Sequence, residues 1–372
     1  MFANSIITSP FEKRGTEGDF ETVCLSKSPL PPFFKEGISQ FNASIGSKNF
    51  WLRTLVTVAA SFKLFAADAA ALETVNMALS NKNFQMILYP IAQERGYMQE
   101  EGIDLRVILA RAELSVQATM AGSFQFNMAG TMAVVNVMKG GAPFKVILAT
   151  NDKVLSWILS KPEITSLKEL KGKRVATSGV ANVTLIMAKQ VMQKHGIDPD
   201  RDINFINTGG GSNGVRALMA GAVDGVVAST AERYIGVPAG LRELSFIGNE
   251  VKNSWGTMAT TDQLIQEKPK LVAGMIKASL KALRFIRKER DATIAVAMKF
   301  AGLDKNIASR MYDDLVGTFN QNGLVDEETQ RNDIEVIRQI LKTPDTIPVQ
   351  RAYDFRFARE ADRQLTQSGW RP

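Results

Sequence analysis

The sequence has 372 residues, 45% of them hydrophobic and 22% charged, the balance of a globular protein with a large core and room for about two to three domains. Its net charge of +7 comes from Lys and Arg scattered along the chain; no basic run interleaved with aromatics marks a nucleic-acid groove. One cysteine, Cys24, and one histidine, His195, rule out an intramolecular disulfide and nearly exclude a Cys/His zinc site, an iron–sulfur centre or a Cys–His nucleophile pair.

Residues 1–47 are rich in Ser, Pro, Gly and charge and partly repeat themselves, with SPFEKRG from Ser9 and SPLPPFFKEG from Ser28. They read as an extension upstream of the true translation start, or as a disordered tail. Residues 48–71 read as a signal peptide. Lys48 and Arg53 flank a short apolar stretch from Leu52 to Ala67, interrupted by Lys63, and Ala69 and Ala71 fit an A-x-A cleavage site. The mature chain is then expected to start near Leu72 in the periplasm, with no cysteine at the cleavage site to carry a lipid. No apolar run reaches the ~18 residues of a membrane span.

From Leu72 onward, strand and helix patterns alternate. Strands are predicted over 74–79, 103–109, 124–127 and 144–149, and helices over 84–98 (bent at Pro90), 114–121 and 132–138. The pattern then restarts, with strands over 174–177, 202–207 and 225–229 and helices over 181–194 and 213–220. Such alternation predicts parallel sheets with helices on their faces. Two sequence echoes recur in the same order: YMQEEGIDL from Tyr97 with VMQKHGIDP from Val191, and ATMAGSFQFNMAGT from Ala118 with ALMAGAVDGVVAST from Ala217. They mark either two equivalent α/β lobes or the general suitability of glycine for helix ends. After a strand near 244–248 and another in NSWGTMATT, helices are predicted over 268–288, 292–301, 307–315 and 327–341, with a last one in AYDFRFAREADRQL.

Ligands of open parallel sheets bind beyond the carboxyl ends of the strands. Those positions are Ser80–Asn81, Ala110–Arg111 and Met128–Thr131 in the first half, and Ser178–Gly179, Gly209–Ser212 and Ser229–Thr230 in the second. The ligand-binding candidates are therefore Ser80, Asn81, Gly130, Thr131, Ser178, Gly179, Asn182, Gly210, Gly211, Ser212, Ser229 and Thr230. Small and hydroxylated residues there let backbone N–H groups approach a ligand, and they equally serve as helix caps. Phe84 and Trp255 are added as stacking candidates, with Trp157 and Tyr234 beside them; core packing is the competing role for all four. Arg111 and Arg233 could pair with a carboxylate or sulfonate, or remain solvated. The formal G-x-G-x-x-G at Gly209–Gly214 follows the second strand of its half and has no ribose-binding acid at the right distance, so no nucleotide cofactor is expected. His195, the one residue available for a Ser–His–Asp arrangement, falls at a predicted helix end. No catalytic residue, metal ligand or cofactor is assigned.

RGYMQEEGIDLRVIL, MAGSFQFNMAGT, ITSLKELKGKRVATSG and MAGAVDGVVAST resemble the solute-binding proteins of nitrate/sulfonate/taurine-type ABC importers, a group similar to the proteins that bind thiamine-pyrimidine precursors. The resemblance covers about 72–341. It implies an α/β, two-lobed periplasmic binding protein fold (type II), with parallel or mixed sheets flanked by helices and two crossover strands. Lobe 1 would be 72–150 plus 251–372, and lobe 2 151–250. The family's ligand loops fall on Ser80, Gly130–Thr131, Ser178–Gly179 and Ser229–Thr230. The implied function is the substrate-binding component of an ABC importer, a non-enzyme and a monomer. It would capture a small organic anion or a nitrogen heterocycle between its lobes and deliver it to an inner-membrane permease. A related branch makes a thiamine pyrimidine from its own histidine with a cysteine-rich iron motif, which this sequence lacks; that enzyme and a ligand-sensing module are the alternatives.

Overall fold

The computed structural model describes residues 71–179, 182–209 and 212–372. The expected N-terminal extension, nearly all of the expected signal peptide, and the candidates Gly210 and Gly211 lie outside the described residues. The strands are β1 (Glu73–Leu79), β2 (Ile103–Leu109), β3 (Phe126–Asn127), β4 (Phe144–Asn151), β5 (Ser156–Ser160), β6 (Arg174–Thr177), β7 (Asn204–Asn207), β8 (Gly225–Ser229), β9 (Arg242–Phe246) and β10 (Trp255–Thr261).

They form two five-stranded sheets of the same design. In the first, ordered β2-β1-β3-β10-β4, β1 runs parallel to β2 and β3, and β10 runs antiparallel to β3 and β4. In the second, ordered β7-β6-β8-β5-β9, β6 runs parallel to β7 and β8, and β5 runs antiparallel to β8 and β9. The sequence echoes occupy matching places. Gly102 and Gly196 have φ of 74° and 73°, and Gly122 and Gly221 have φ of 77° and 72°. These are left-handed conformations that glycine adopts without a steric penalty, in the connections that lead from a helix to the next strand. β5 has no counterpart among the predicted strands. Its SWILS is buried throughout, so it shows no alternation of exposed and buried side chains to mark it as a strand.

The flanking helices are α1 (Leu88–Glu94), α2 (Ala112–Met120), α3 (Gly130–Gly140), α4 (Val183–Lys194), α5 (Asn213–Met219), α6 (Thr230–Gly236), α7 (Asp262–Glu267), α8 (Pro269–Lys288), α9 (Arg290–Ala301), α10 (Lys305–Leu315), α11 (Glu327–Leu341) and α12 (Arg356–Gln367). The predicted bend at Pro90 is not where the chain breaks. Pro90 sits in the first turn of α1, where no intrahelical N–H is required. The break falls at Gly96, with φ of 75°, ahead of a separate turn Tyr97–Glu100. α8 opens with Pro269 and ends with Arg287 and Lys288, matching the helix dipole at its carboxyl end. Asp304 and Asp326 cap α10 and α11 by accepting from the Ile307 and Thr329 N–H groups.

Two segments cross between the sheets, β4 to β5 and β9 to β10, and they lie side by side because Trp255 pairs with Asn151. The Thr150 hydroxyl donates to the Gly256 carbonyl at 2.9 Å. Asp333 of α11 gathers the second crossover. Its carboxylate accepts from the Asn253 amide at 2.9 Å, the Ser254 N–H at 3.0 Å, the Ser254 hydroxyl at 2.6 Å and the Tyr353 hydroxyl at 3.0 Å. Burial pushes this carboxyl up to about 6 although those four donors favour its charge. One continuous apolar core runs from Val75 and Met77 through Leu148 and Trp157 to Val226, and so spans both sheets.

Candidate functional site

A cavity of about 810 Å³ opens between the two sheets. The first sheet's half supplies the segment Ser80–Met86 after β1, Met128–Met132 at the β3–α3 junction, and Trp255–Thr257 of β10. Ala301, Leu303, Ile307 and Met311, around the α9–α10 turn, add a further wall. The second half supplies Leu155 before β5 and Ser229, Thr230, Ala231, Tyr234 and Ile235 at the start of α6.

Local chemistry builds each wall. The Asn83 side chain accepts from the N–H groups of Gln85 and Met86 at 3.0 and 3.2 Å. This caps the single turn Phe84–Met86 and holds Phe84 against Phe319, with ring centroids 6.1 Å apart. It also aims Gln85 across the cavity, where its amide donates to the Thr230 hydroxyl at 3.2 Å. At the β3–α3 junction the Asn127 side-chain oxygen accepts from the Ala129 N–H at 3.0 Å, and its side-chain amide donates to the Thr119 hydroxyl at 2.9 Å. Helix α3 then begins against β10 so closely that a Cβ on Gly130 would lie 2.1 Å from the Thr257 hydroxyl. Glycine here serves close approach rather than a ligand alone.

The two helix starts facing the cavity differ electrically. α6 carries a full capping box: the Glu232 carboxylate accepts from the Ser229 N–H at 2.8 Å, and the Ser229 hydroxyl accepts from the Glu232 N–H. The corresponding third position of α3 is Met132, and α3 has no side-chain cap. Lys82 is the one charged side chain on the wall among the described residues, and no carboxylate lines it.

The rim is a polar clasp between the halves. Arg233 of α6 donates to Glu243 at 2.7 Å and to Asp314 of α10 at 2.8 Å, and the Tyr234 hydroxyl donates to Asp314 at 2.7 Å. Burial works against the Arg233 charge, but these two carboxylates outweigh it and keep the guanidinium firmly protonated. Burial, and then the bond to Asp314, lift the Tyr234 phenol well above its usual range.

Of the sequence candidates, Ser80, Asn81, Phe84, Gly130, Thr131, Ser229, Thr230 and Trp255 come together on this cavity, with Tyr234 beside them. Ser178, Gly179, Asn182 and Ser212 are not on its wall. Asn182 instead caps α4 by accepting from the Leu185 N–H at 2.9 Å, and its amide donates to the Ser178 hydroxyl. Trp157 is core, stacked on Phe246 with centroids 4.9 Å apart. Arg111 is off the wall, and Arg233 is committed to the clasp. His195 lies at the end of α4, 2.8 Å from Glu250, and is likewise off the wall.

Sequence reasoning passed over Lys82, Gln85 and the methionines Met86, Met132 and Met311. Lys82 and Gln85 follow shortly after Leu79, the last residue of β1, and are within reach of the strand-end rule. Met311 lies on a helix whose apolar positions look like ordinary core.

Comparison with known proteins gives three points of likeness. YtlA of Bacillus subtilis (strain 168), which carries the name of a binding protein without a stated ligand, is 22% identical over 274 residues, covering 70% of this chain and 82% of that one. The periplasmic sulfonate-binding protein SsuA from Methylobacillus flagellatus KT superposes with a TM-score of 0.68 at 16% identity, over 81% of this chain and 97% of that one. The desulfurization enzyme DszB, as a cysteine-to-serine mutant in complex with biphenyl-2-sulfinic acid, superposes with a TM-score of 0.59 at 12% identity, over 78% and 99%. These superpositions identify the two mixed sheets as the two-lobed periplasmic binding protein fold. The NMT1/THI5-like family model matches residues 83–293, more than half of the 372 residues, and the chain therefore belongs to the NMT1/THI5-like family.

Proposed function

We propose that this chain is the substrate-binding component of an ABC importer, and that it captures an organic anion, a sulfonate or carboxylate, in the cavity between its sheets. The observation that carries this reading is the makeup of the wall: both halves contribute, Lys82 is cationic, and no carboxylate is present among the described residues. An uncompensated cation on a largely apolar wall favours an anionic guest and disfavours a cationic one. The uncapped start of α3 adds backbone N–H groups of the same preference. A nitrogen heterocycle stacked on Trp255 is the second choice, since that ring is on the wall as well.

Function then follows from closure. A solute that touches Thr131 and Trp255 of one half and Ala231 of the other stabilises the closed arrangement by its differential affinity for that state. The Gln85–Thr230 and Arg233–Asp314 contacts complete it. The lobes would be 72–150 plus 251–372 and 151–250, turning about the paired crossovers. The closed face delivers the solute to an inner-membrane permease, and the protein works as an exported, periplasmic monomer.

DszB has the same fold and is an enzyme. The wall here carries no His, Cys, Asp or Glu among the described residues, so its serine and threonine hydroxyls have no histidine or carboxylate on the wall to activate them. We read the site as one for capture without reaction.

A thermal-shift panel of sulfonates, carboxylates and nitrogen heterocycles tests the reading, since a ligand that binds only the folded state raises its midpoint by mass action. The anions are expected to raise it. A panel in which no member does so contradicts solute binding, and a response to heterocycles alone would replace the anion with the second choice.

A further inference from the structure

Asp333 is buried by both halves of the protein. It borders a void of about 10 Å³, at or below the room one water needs. Thr131 and Val134 of α3 and Val336 of α11 wall this void from the first half, and Val183 and Met187 of α4 close it from the second. Gln190 of α4 also reaches Asn332, the neighbour of Asp333, at 3.5 Å, and its side-chain oxygen is buried without a partner among the described residues. Gly130, Thr131 and Thr257 border the main cavity as well. The void therefore adjoins the cleft, and parting α4 from α11 lets water reach the carboxyl.

Both protonation states can be held here. The carboxylate accepts from the Asn253 amide, from the N–H and hydroxyl of Ser254, and from the Tyr353 hydroxyl. A neutral carboxyl donates once, and either hydroxyl can turn to accept it. Burial pushes the group up to about 6, and hydration on opening returns it toward the ordinary 3.8. Asp333 and Tyr353 are the titratable groups on this void among the described residues. Charges on the surrounding elements are engaged elsewhere: Lys252 of the crossover with Glu328 and Asp326, Glu335 of α11 with Arg338, and Lys189 of α4 with Asp200. Lys145 of β4 donates to the Gln350 and Arg351 carbonyls, and Asp354 pairs with Arg356. Lys139, the one charge of α3, stands in its last turn. His195 bonds Glu250 in the same crossover.

We infer that Asp333 is a positioning residue that couples closure to a proton: the halves close most readily over a neutral Asp333 and part more easily once it ionises, so acid tightens solute capture. This inference rests on the solute-binding reading above and adds a regulation to it. Closing takes up a proton between about 4 and 6, so the gain in affinity is complete below about 4 and is lost as pH rises through 6.

Titration calorimetry on the mature protein with butanesulfonate and benzenesulfonate, whose charge is constant from pH 5 to 7, tests it when run in buffers of different ionisation enthalpy. Binding is expected to be about three- to tenfold tighter at pH 5 than at pH 7, with about half a proton taken up per solute at pH 6. His195→Gln should keep both effects and Asp333→Asn should lose them. Proton uptake is read on the unaltered protein, so the test holds even where Asp333→Asn folds poorly. Binding without proton uptake, or effects that vanish with His195 instead, overturns this inference and leaves solute capture standing. If neither sulfonate binds at any pH, both readings fall together.

Discussion

Arg233 and Asp314 are 81 positions apart, and the guanidinium donates to the carboxylate at 2.8 Å, joining α6 of the second sheet's half to α10, which packs with the first. The same Asp314 oxygen accepts from Tyr234 at 2.7 Å, and Tyr234 is a wall residue of the cavity. A single carboxylate thus ties the rim of one half to the wall of the other. Of the two partners Arg233 is the more buried, at 20% side-chain exposure against 42% for Asp314, so solvent screens the pair only in part.

Asp314→Asn should therefore loosen the closed state without unfolding the protein. The half-exposed carboxylate limits the loss to about 1 kcal/mol, which is roughly a fivefold weaker affinity. The effect should appear mainly as faster solute dissociation in stopped-flow fluorescence, since losses at one interface contact fall mostly on the off-rate. An unchanged dissociation rate would remove the clasp from the mechanism.

Ala231 is exposed in the present arrangement and lies on the cavity wall. Ala231→Trp should fill the space a solute needs and lower affinity at least about tenfold at unchanged thermal stability. Ser178→Trp, off the wall and exposed, should change affinity little. Calorimetry of the two variants side by side separates the strand-end loop that reaches the cavity from the one that does not. Reversed effects would move the site to the β6 end.

Asp333 predicts a pH dependence of stability. Its carboxyl is about 6 in the fold against an ordinary 3.8, because it is fully buried. In the window between about 4 and 6 the folded protein holds a proton that the unfolded chain has released. Stability from this group is therefore complete below about 4 and declines as pH rises through 6, by at most on the order of 3 kcal/mol. Asp333→Asn should flatten that slope in urea titrations from pH 4 to 7. Its amide can still accept from Asn253 and the Ser254 N–H and donate to the two hydroxyls. A slope unchanged by the substitution would mean that Asp333 is not its source.

Gly130→Ala should destabilise the fold by about 1–3 kcal/mol, since the added carbon would lie 2.1 Å from the Thr257 hydroxyl and 2.7 Å from its Cβ. Thermal melts would register this, and pairing the change with Thr257→Gly should recover part of the loss. A neutral Gly130→Ala would show that α3 can retreat from β10.

The two-half plan was legible because the echoes carry conformation as well as composition. The glycines before β2 and β3 recur before β7 and β8 with the same positive φ, and few other residues can stand there. The half of the cavity built from strand ends was legible for the same reason: Ser80, Thr131 and Thr230 each follow a strand. The wall from Ala301 to Met311 was not, because it comes from a helical turn far beyond Ser80 in the chain, and its apolar side chains follow the 3.6-residue period that marks a core-facing helix. Ser178 and Asn182 stand off the cavity wall although they follow a strand end as Ser80 does, because one chemistry serves both purposes. Asn182 caps α4 and binds Ser178, and a sequence does not distinguish a cap from a ligand contact. Glu232 is the opposite case: its carboxylate occupies the start of α6, so the loop that reads as an anion site is already filled.

A crystal structure of the mature protein with the most stabilising anion of the thermal-shift panel tests the central claim most directly. The account predicts one solute between the sheets, its charged end by Lys82 and Thr131 and its body against Trp255 and Met311, with Ala231 of the other half also in contact. A solute bound elsewhere, or one touching residues of a single sheet's half, would contradict it.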